Sequence, residues 1–138
     1  VMLAQMLYFS EAVDPGNVGI LKILENARKN NSSAHVSGVL LFDRNYFLQC
    51  LEGGREALTT LFARIAADER HTHVTLMSMH EIGERDFPDW TMGYVSSSPT
   101  LTKSLARFLP TDQFAPERMS CASATGLMKS LRATQGTV

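Results

Sequence analysis

The sequence is short of most features that announce a function. It has only two cysteines in 138 residues, Cys50 and Cys121, too few for a disulfide framework. Both are expected to be buried thiols in a reducing cytosol, and a cytoplasmic location goes with that. Charge of one sign is also lacking: thirteen Lys+Arg against fourteen Asp+Glu leave a net charge of −1. That balance excludes a broadly basic nucleic-acid binder. No apolar run approaches the roughly 18 residues of a membrane span. No charged stretch followed by an apolar one opens the chain, so no signal peptide is expected. There is no G-x-G-x-x-G and no P-loop, so a nucleotide is not held in either of those ways. His71-x-His73 lacks acidic or thiol companions, and no metal site is expected. Cys50 has only Leu48 and Glu52 beside it on its strand face, neither of them a base. It reads as a structural thiol and not a nucleophile.

What is present is an ordinary globular composition, 44% hydrophobic and 20% charged. A chain of this size forms one domain and buries about two-thirds of its unfolded surface. It leaves little room for a second, catalytic output domain. No internal repeat or low-complexity segment interrupts it.

The first run, Leu3 to Phe9, is apolar on both faces and predicts a central strand covered on both sides. Met6, Tyr8 and Ser10 share one face by the two-residue period. The turn Asp14-Pro15-Gly16-Asn17 ends in a candidate N-cap. A helix follows to about Asn30 or Asn31, with Ile20, Leu21, Ile23, Leu24 and Ala27 on its apolar face. Asn30-Asn31-Ser32-Ser33 is expected to end it. Val36 to Phe42 and Tyr46 to Glu52 read as a hairpin joined by Asp43-Arg44-Asn45, with Gly53-Gly54 breaking the chain. Glu56 to about Asp68 predicts a second helix, with Leu58, Leu61, Phe62 and Ile65 inward. His73 to Ile82 and Trp90 to Val95 give a fourth and a fifth strand.

The order β-α-β-β-α-β-β predicts an α+β, ferredoxin-like fold: a five-stranded mixed sheet with two helices on one face. The other face needs cover. Leu101, Leu105, Phe108 and Leu109 share one helical face, and Cys121, Ala124, Met128 and Leu131 another. Pro110 and Pro116 bracket the break between them, and Ser96-Ser97-Ser98-Pro99 is a connector. These C-terminal helices are expected to cover the opposite face.

Three residues do not fit a plain core. Gln49 alternates with Phe47 and Leu51 on a buried face, and its amide has two donors and two acceptor sites to satisfy. Either a neighbouring loop or water satisfies them, or a polar, flat ligand does. Tyr8 brings a hydroxyl into an apolar strand; it either reaches the surface or shares the Gln49 face. Asn31 continues the stripe Ile23, Ala27, Asn31 at i, i+4, i+8. It is either a C-cap or the polar end of a space left by the small Ala27. Asp68, Arg70 and His71 close the second helix, where charges are usually solvated.

Several segments, in order and spacing, match one family. They are Leu7-Tyr8-Phe9-Ser10, Ala27-Arg28-Lys29-Asn30-Asn31, Val36 to Leu41, Phe47-Leu48-Gln49-Cys50-Leu51-Glu52-Gly53, Asp68-Glu69-Arg70-His71, and Arg85 to Met92. Over about Leu3 to Val95 the chain resembles a BLUF domain, a blue-light sensor that binds flavin. Its tail resembles the short, stand-alone members, in which two helices follow the domain. The resemblance implies a sensor over residues 1–96 and a helical extension over 97–138.

The resemblance also implies a flavin between the two helices, with FAD expected and FMN the alternative. Ile23, Ala27 and Ile65 would contact the ring, and Asn31 would bond its polar edge. Gln49 would lie between Tyr8 and the flavin. Arg64, Asp68, Arg70 and His71 would lie near the ribityl or dimethylbenzene side, and Asn30 and Met92 are also counted as flavin-binding. Tyr8 would give an electron and a proton to the photoexcited flavin, and Gln49 would rotate or tautomerise. The rewritten hydrogen bonds would give a red-shifted state. Ser10, Trp90 and Met92 would relay it, the last two from one face of the fifth strand.

The expected output is contact with an effector on a separate chain or a change in homo-oligomer state, with no catalytic activity, nucleic acid or membrane involved. Two alternatives are enzymes on a ferredoxin-like scaffold. An acylphosphatase-like enzyme is disfavoured by Glu11 and Asp14 where an anion cradle would lie, and a flavin reductase shows no site for a second nicotinamide substrate. An RNA-binding module would want exposed aromatics and a basic surface.

Overall fold

A computed structural model describes residues 2–132 apart from Val18, Thr91 and Ser97. Its strands are β1 (Leu3–Ala12), β2 (Ser37–Asp43), β3 (Tyr46–Gly54), β4 (His71–Glu81) and β5 (Gly93–Ser96). Its helices are α1 (Ile20–Ala34), α2 (Arg55–Ala66), α3 (Pro99–Leu105) and α4 (Cys121–Arg132). The strands lie in the order β4-β1-β3-β2-β5. Neighbours are antiparallel except β5, which runs parallel to β2. This is the α+β, ferredoxin-like mixed sheet that the sequence predicts, with β1 and β3 central.

The apolar runs of β1 and β3 sort by the two-residue period into two cores. Met6, Tyr8, Phe47 and Leu51 face Leu24 of α1 and Leu58 of α2. Leu7, Leu48 and Cys50 face the other way, with Val39, Leu41 and Val95. Leu101 and Leu105 of α3 and Ala124, Leu127, Met128 and Leu131 of α4 close over them. The C-terminal helices are therefore the predicted cover. Ser98 starts α3 as an N-cap, its Oγ accepting the Leu101 N–H at 3.1 Å.

Several boundaries depart from the sequence reading, each for a physical reason. Asn17 ends a single 3-10 turn, Pro15–Asn17, and does not cap α1. The cap position is Gly19, whose φ of 71° only glycine adopts at little cost. Asn30-Asn31-Ser32-Ser33 does not end α1. Asn31 is buried there, and packing outweighs the weak helix propensity of these residues. His35, at φ 56°, terminates the helix, and the Val36 N–H bonds the Asn31 carbonyl at 2.9 Å. Gly53 and Gly54 stay in β3 because they pair with Ala4 and Leu3. Helix α2 stops at Ala66, so Asp68 lies beyond it and His71 opens β4. Cys121 is exposed, not inward, because it is the first residue of α4.

The largest departure concerns Trp90 and Met92. Both precede β5, so the strand period does not govern them. The Trp90 N–H bonds the Phe87 carbonyl in a turn, and Trp90 stacks on Phe87 at 5.8 Å on the α3/α4 side. Met92 is fully buried on the α1/α2 side. The predicted shared face is thus wrong: the two side chains lie on opposite faces of the sheet.

The hairpin β2-β3 has no slack. A methyl group on Gly38 would collide with the Cys50 carbonyl, a backbone atom of the paired strand. Gly38→Ala should cost about 1–3 kcal/mol, seen as a lower urea midpoint at unchanged slope. An unchanged midpoint would mean that the strands can part there without penalty.

Candidate functional site

The two helices on the sheet do not meet along their whole length. Between them a cleft of about 780 Å³, its open mouth included, reaches down to the strands. The floor is Tyr8 of β1, Leu40 of β2, and Phe47 and Gln49 of β3. One wall is Ile23, Asn26, Ala27, Asn30 and Asn31 of α1; the other is Leu61, Arg64 and Ile65 of α2. Asp68, Arg70 and His71 complete the lining beyond the end of α2.

Register explains the floor. Tyr8 and Gln49 are direct cross-strand partners, and Gln49 is paired on its other side with Leu40. The Tyr8 hydroxyl donates a short hydrogen bond to Gln49 Oε1. With Oε1 so engaged, Nε2 is the end of the amide left to donate, and it donates to Met92 Sδ at 3.4 Å. An amide has two donors and two acceptor sites, so these bonds leave one of each for a group in the cleft. Tyr8 is 3% exposed and rests edge-on against Phe62, centroids 5.8 Å apart.

His71 ties the cleft's rim together. Its Nε2 lies 2.5 Å from the Ile65 carbonyl, which can only accept, so Nε2 carries the proton. In the neutral ring Nδ1 then accepts from the Ser10 hydroxyl at 2.8 Å. Ser10 is thus a hydrogen-bond partner of His71. Arg70 clasps both oxygens of Asp68, at 3.0 Å to Oδ1 and 2.5 Å to Oδ2. That hydrogen bonding holds the Asp68 carboxyl below the usual carboxylate range. Cys50 points away from the cleft, and burial first, then the Glu52 and Asp86 charges, push its thiol well up.

Of the residues singled out in the sequence, Tyr8, Ile23, Ala27, Asn30, Asn31, Gln49, Arg64, Ile65, Asp68, Arg70 and His71 converge on this cleft. Met92 lies behind Gln49, outside the lining, and Trp90 is on the far side of the sheet. Asn26, Leu40, Phe47 and Leu61 also line the cleft and were missed. Signals for them existed: Asn26 and Leu61 are one helical turn from Asn30 and Ile65, and Phe47 shares the Gln49 face.

A second cluster lies on the other face. Glu52, fully buried, accepts from the Asp86 and Phe87 backbone N–H groups at 2.9 and 2.8 Å and from Gln5 Nε2 at 2.8 Å. Arg85 bonds Ser37 Oγ at 2.7 Å, and the Glu52 and His35 carbonyls at 2.8 and 2.7 Å. From α4, Lys129 lies 3.5 Å from the Asp86 carboxylate, and Arg132 donates to the Asp86 carbonyl. The segment entering β5 is thereby fastened to β3 and to α4.

Residues 3–93 match the family BLUF, sensors of blue-light using FAD. The photoactivated adenylate cyclase subunit beta of Euglena gracilis is 35% identical over 92 residues, 65% of this chain. The chain spans only 11% of that curated relative's length. Among solved structures, BlsA in its photo-activated state has a TM-score of 0.86 at 27% identity, covering 99% of this chain and 100% of that one. The dark state of BlrB, a BLUF protein, has a TM-score of 0.75 at 29% identity, covering 96% of each chain.

Burial, and after it the Asp68 charge, pushes the Tyr8 hydroxyl far above its ordinary value. The fold therefore keeps a proton that the unfolded chain loses above about pH 10. That stabilisation is complete below the unfolded value. It drains as the pH climbs toward the folded one, by about 1.4 kcal/mol per unit. Urea unfolding from about pH 9 to about pH 12 should show a shallower decline for Tyr8→Phe than for the parent chain. Equal slopes would assign the alkaline loss to other groups.

Proposed function

The chain belongs to the BLUF family, and from that membership we propose that it senses blue light through a non-covalently bound flavin held between α1 and α2. The observation that carries this reading is the hydrogen-bonded row Tyr8–Gln49–Met92 under the cleft. The cleft suits a flat ring with a polar edge. Ile23, Ala27, Leu40 and Ile65 offer apolar surface, and the Gln49 and Asn31 amides offer donors and acceptors. Arg64, Asp68, Arg70 and His71 are assigned to the ribityl or dimethylbenzene side of the flavin. FAD is the proposed form, with FMN the alternative that extraction and chromatography of the bound flavin would identify.

When bound, the flavin supplies light absorption and, once excited, a strong one-electron oxidant. Tyr8 is the proposed donor of the electron. Its proton has a ready path, since the hydroxyl already points at Gln49 Oε1. An amide that takes that proton at Oε1 and gives one up from Nε2 to the group in the cleft, or that turns end for end, exchanges its donor and acceptor sides. Nε2 then leaves Met92 Sδ, and the chain entering β5 loses one of its restraints. We assign the sensor to residues 1–96 and the output to the helical extension over residues 97–138, whose helices α3 and α4 lie on the face that β5 also borders. The output is contact with an effector protein on a separate chain or with a second copy of this chain, with no substrate turned over.

Purified protein should be yellow and should show a small, reversible red shift of its flavin band under blue light. A colourless preparation that cannot be reconstituted with flavin would overturn the reading. Tyr8→Phe should keep the flavin and abolish the red-shifted state; a full photocycle in that variant would remove Tyr8 from its role. Met92→Ala should keep both flavin and red shift while the light-induced change in α4 hydrogen exchange falls to less than half. An undiminished change would send the relay by another route.

A further inference from the structure

One contact on Met92 comes from neither the sheet nor Gln49. Arg28, half-buried on α1, reaches across to the chain entering β5. Its Nε and Nη2 both donate to the Met92 carbonyl, at 3.1 and 2.9 Å. The same residue thus has its sulfur held by Gln49 and its backbone held by a guanidinium. Arg28 follows Ala27, which lines the cleft, and stands one turn before Asn31. One helix therefore carries both a wall of the cleft and a clamp on the strand entrance.

The neighbouring restraints show why this clamp matters. The Gly38 N–H holds the Trp90 carbonyl at 2.8 Å, and the Trp90 ring packs so closely on Gly93 that a methyl group there would strike it. Gly93 then makes the first pair of β5, with Val39 of β2. The entrance is fixed on both sides of Met92 by contacts that do not involve Gln49. Met92 itself is held by a weak hydrogen bond at its sulfur and by two N–H groups of a cation at its carbonyl. Hydrogen bonds to a charged group are the stronger kind.

We propose that Arg28 is the positioning residue of the relay: it fixes the Met92 backbone so that the Met92 sulfur meets the Gln49 amide, and it makes release of β5 conditional on Gln49. The proposal rests on the sensor reading above and adds a residue outside the lining of the cleft. Without Arg28 the entrance to β5 loosens whether or not the protein is illuminated. Light then has little left to change there, although Tyr8 and Gln49 still exchange their proton.

The test is hydrogen exchange of residues 93–96 in the full chain, dark and illuminated, with the flavin spectrum recorded on the same samples. Arg28→Ala should raise dark exchange of these amides about tenfold over the parent chain, as loss of a charge-assisted bond predicts. Illumination should add less than about twofold to that. The size of the red shift should not change. Arg28→Lys, which keeps the charge and one donor group, should recover part of the dark protection. Dark exchange of Arg28→Ala within about twofold of the parent would overturn the proposal. So would an equal rise in the central amides of β1 and β3, because the effect would then be general destabilisation. Absence of any red shift in the parent chain would overturn the sensor reading, whereas the dark comparison of variant and parent still decides the Arg28 clamp.

Discussion

A phenol and a carboxamide meet at the centre of a sheet that is covered on both faces, and each can be satisfied only by what lies within reach. Tyr8 and Gln49 are cross-strand partners on β1 and the central strand β3, both buried. Leaving either polar group unmade there costs about 1–3 kcal/mol. The buried pair therefore has very few acceptable arrangements, and each is a complete set of bonds. That scarcity turns a local hydrogen bond into a constraint on whatever touches the amide. Met92 touches it at one end, and the cleft lies open at the other.

The doubly covered sheet also sets how far apart the two sides of the molecule are. Successive residues of β3 alternate between the cores, so Gln49 faces the cleft while Leu48 and Cys50 pack beneath α3 and α4. Both cores thus share one strand. The segment between β4 and β5 belongs to both as well. Its Met92 faces Gln49, its Trp90 and Phe87 face α4, and Asp86 is bonded to Arg132 and near Lys129. A displacement of Met92 has only a few residues of chain to cross before it meets α4. Such a route counts as coupling only if the segment has two discrete arrangements. The clamps on either side of Met92 are of the kind that could separate two such arrangements.

Much of this was legible because the strands are regular. Period-two alternation in β1 and β3 predicted which side chains share a face, and it exposed Tyr8 and Gln49 as polar residues in apolar company. The stripe Ile23, Ala27, Asn31 likewise marked the α1 wall of the cleft. Reading failed where regularity ends. Trp90 and Met92 were placed on one face by a rule that holds only inside a strand, and both lie before β5 begins. Asn17 looked like a cap, but the chain makes a 3-10 turn first and starts α1 at Ile20. Cys121 matched a helical stripe, yet as the first residue of α4 it is exposed. Arg28 and Glu52 gave no local signal at all. Their partners are 64 and about 35 residues away, at Met92 and at Asp86 and Phe87, and no periodicity reports such distances.

Glu52 and Gln49 differ by one side-chain group, sit three residues apart on one strand, and face opposite ways. Glu52 is fully buried, and three N–H groups converge on its carboxyl group. A carboxylate can only accept, so its partners must all be donors, and no rearrangement of them improves the fit. The site is fixed by its own chemistry, which suits a group that fastens a loop to the sheet. Gln49 is neutral and carries both donor and acceptor ends. Turning it exchanges those ends without moving any charge through the buried interior, so two hydrogen-bond patterns can lie close in free energy. A carboxylate in its place would repel any negative charge arriving in the cleft and would offer Met92 no donor. The amide is the side chain of that shape that can sit between a hydroxyl and a sulfur and still face a polar ring edge in either sense.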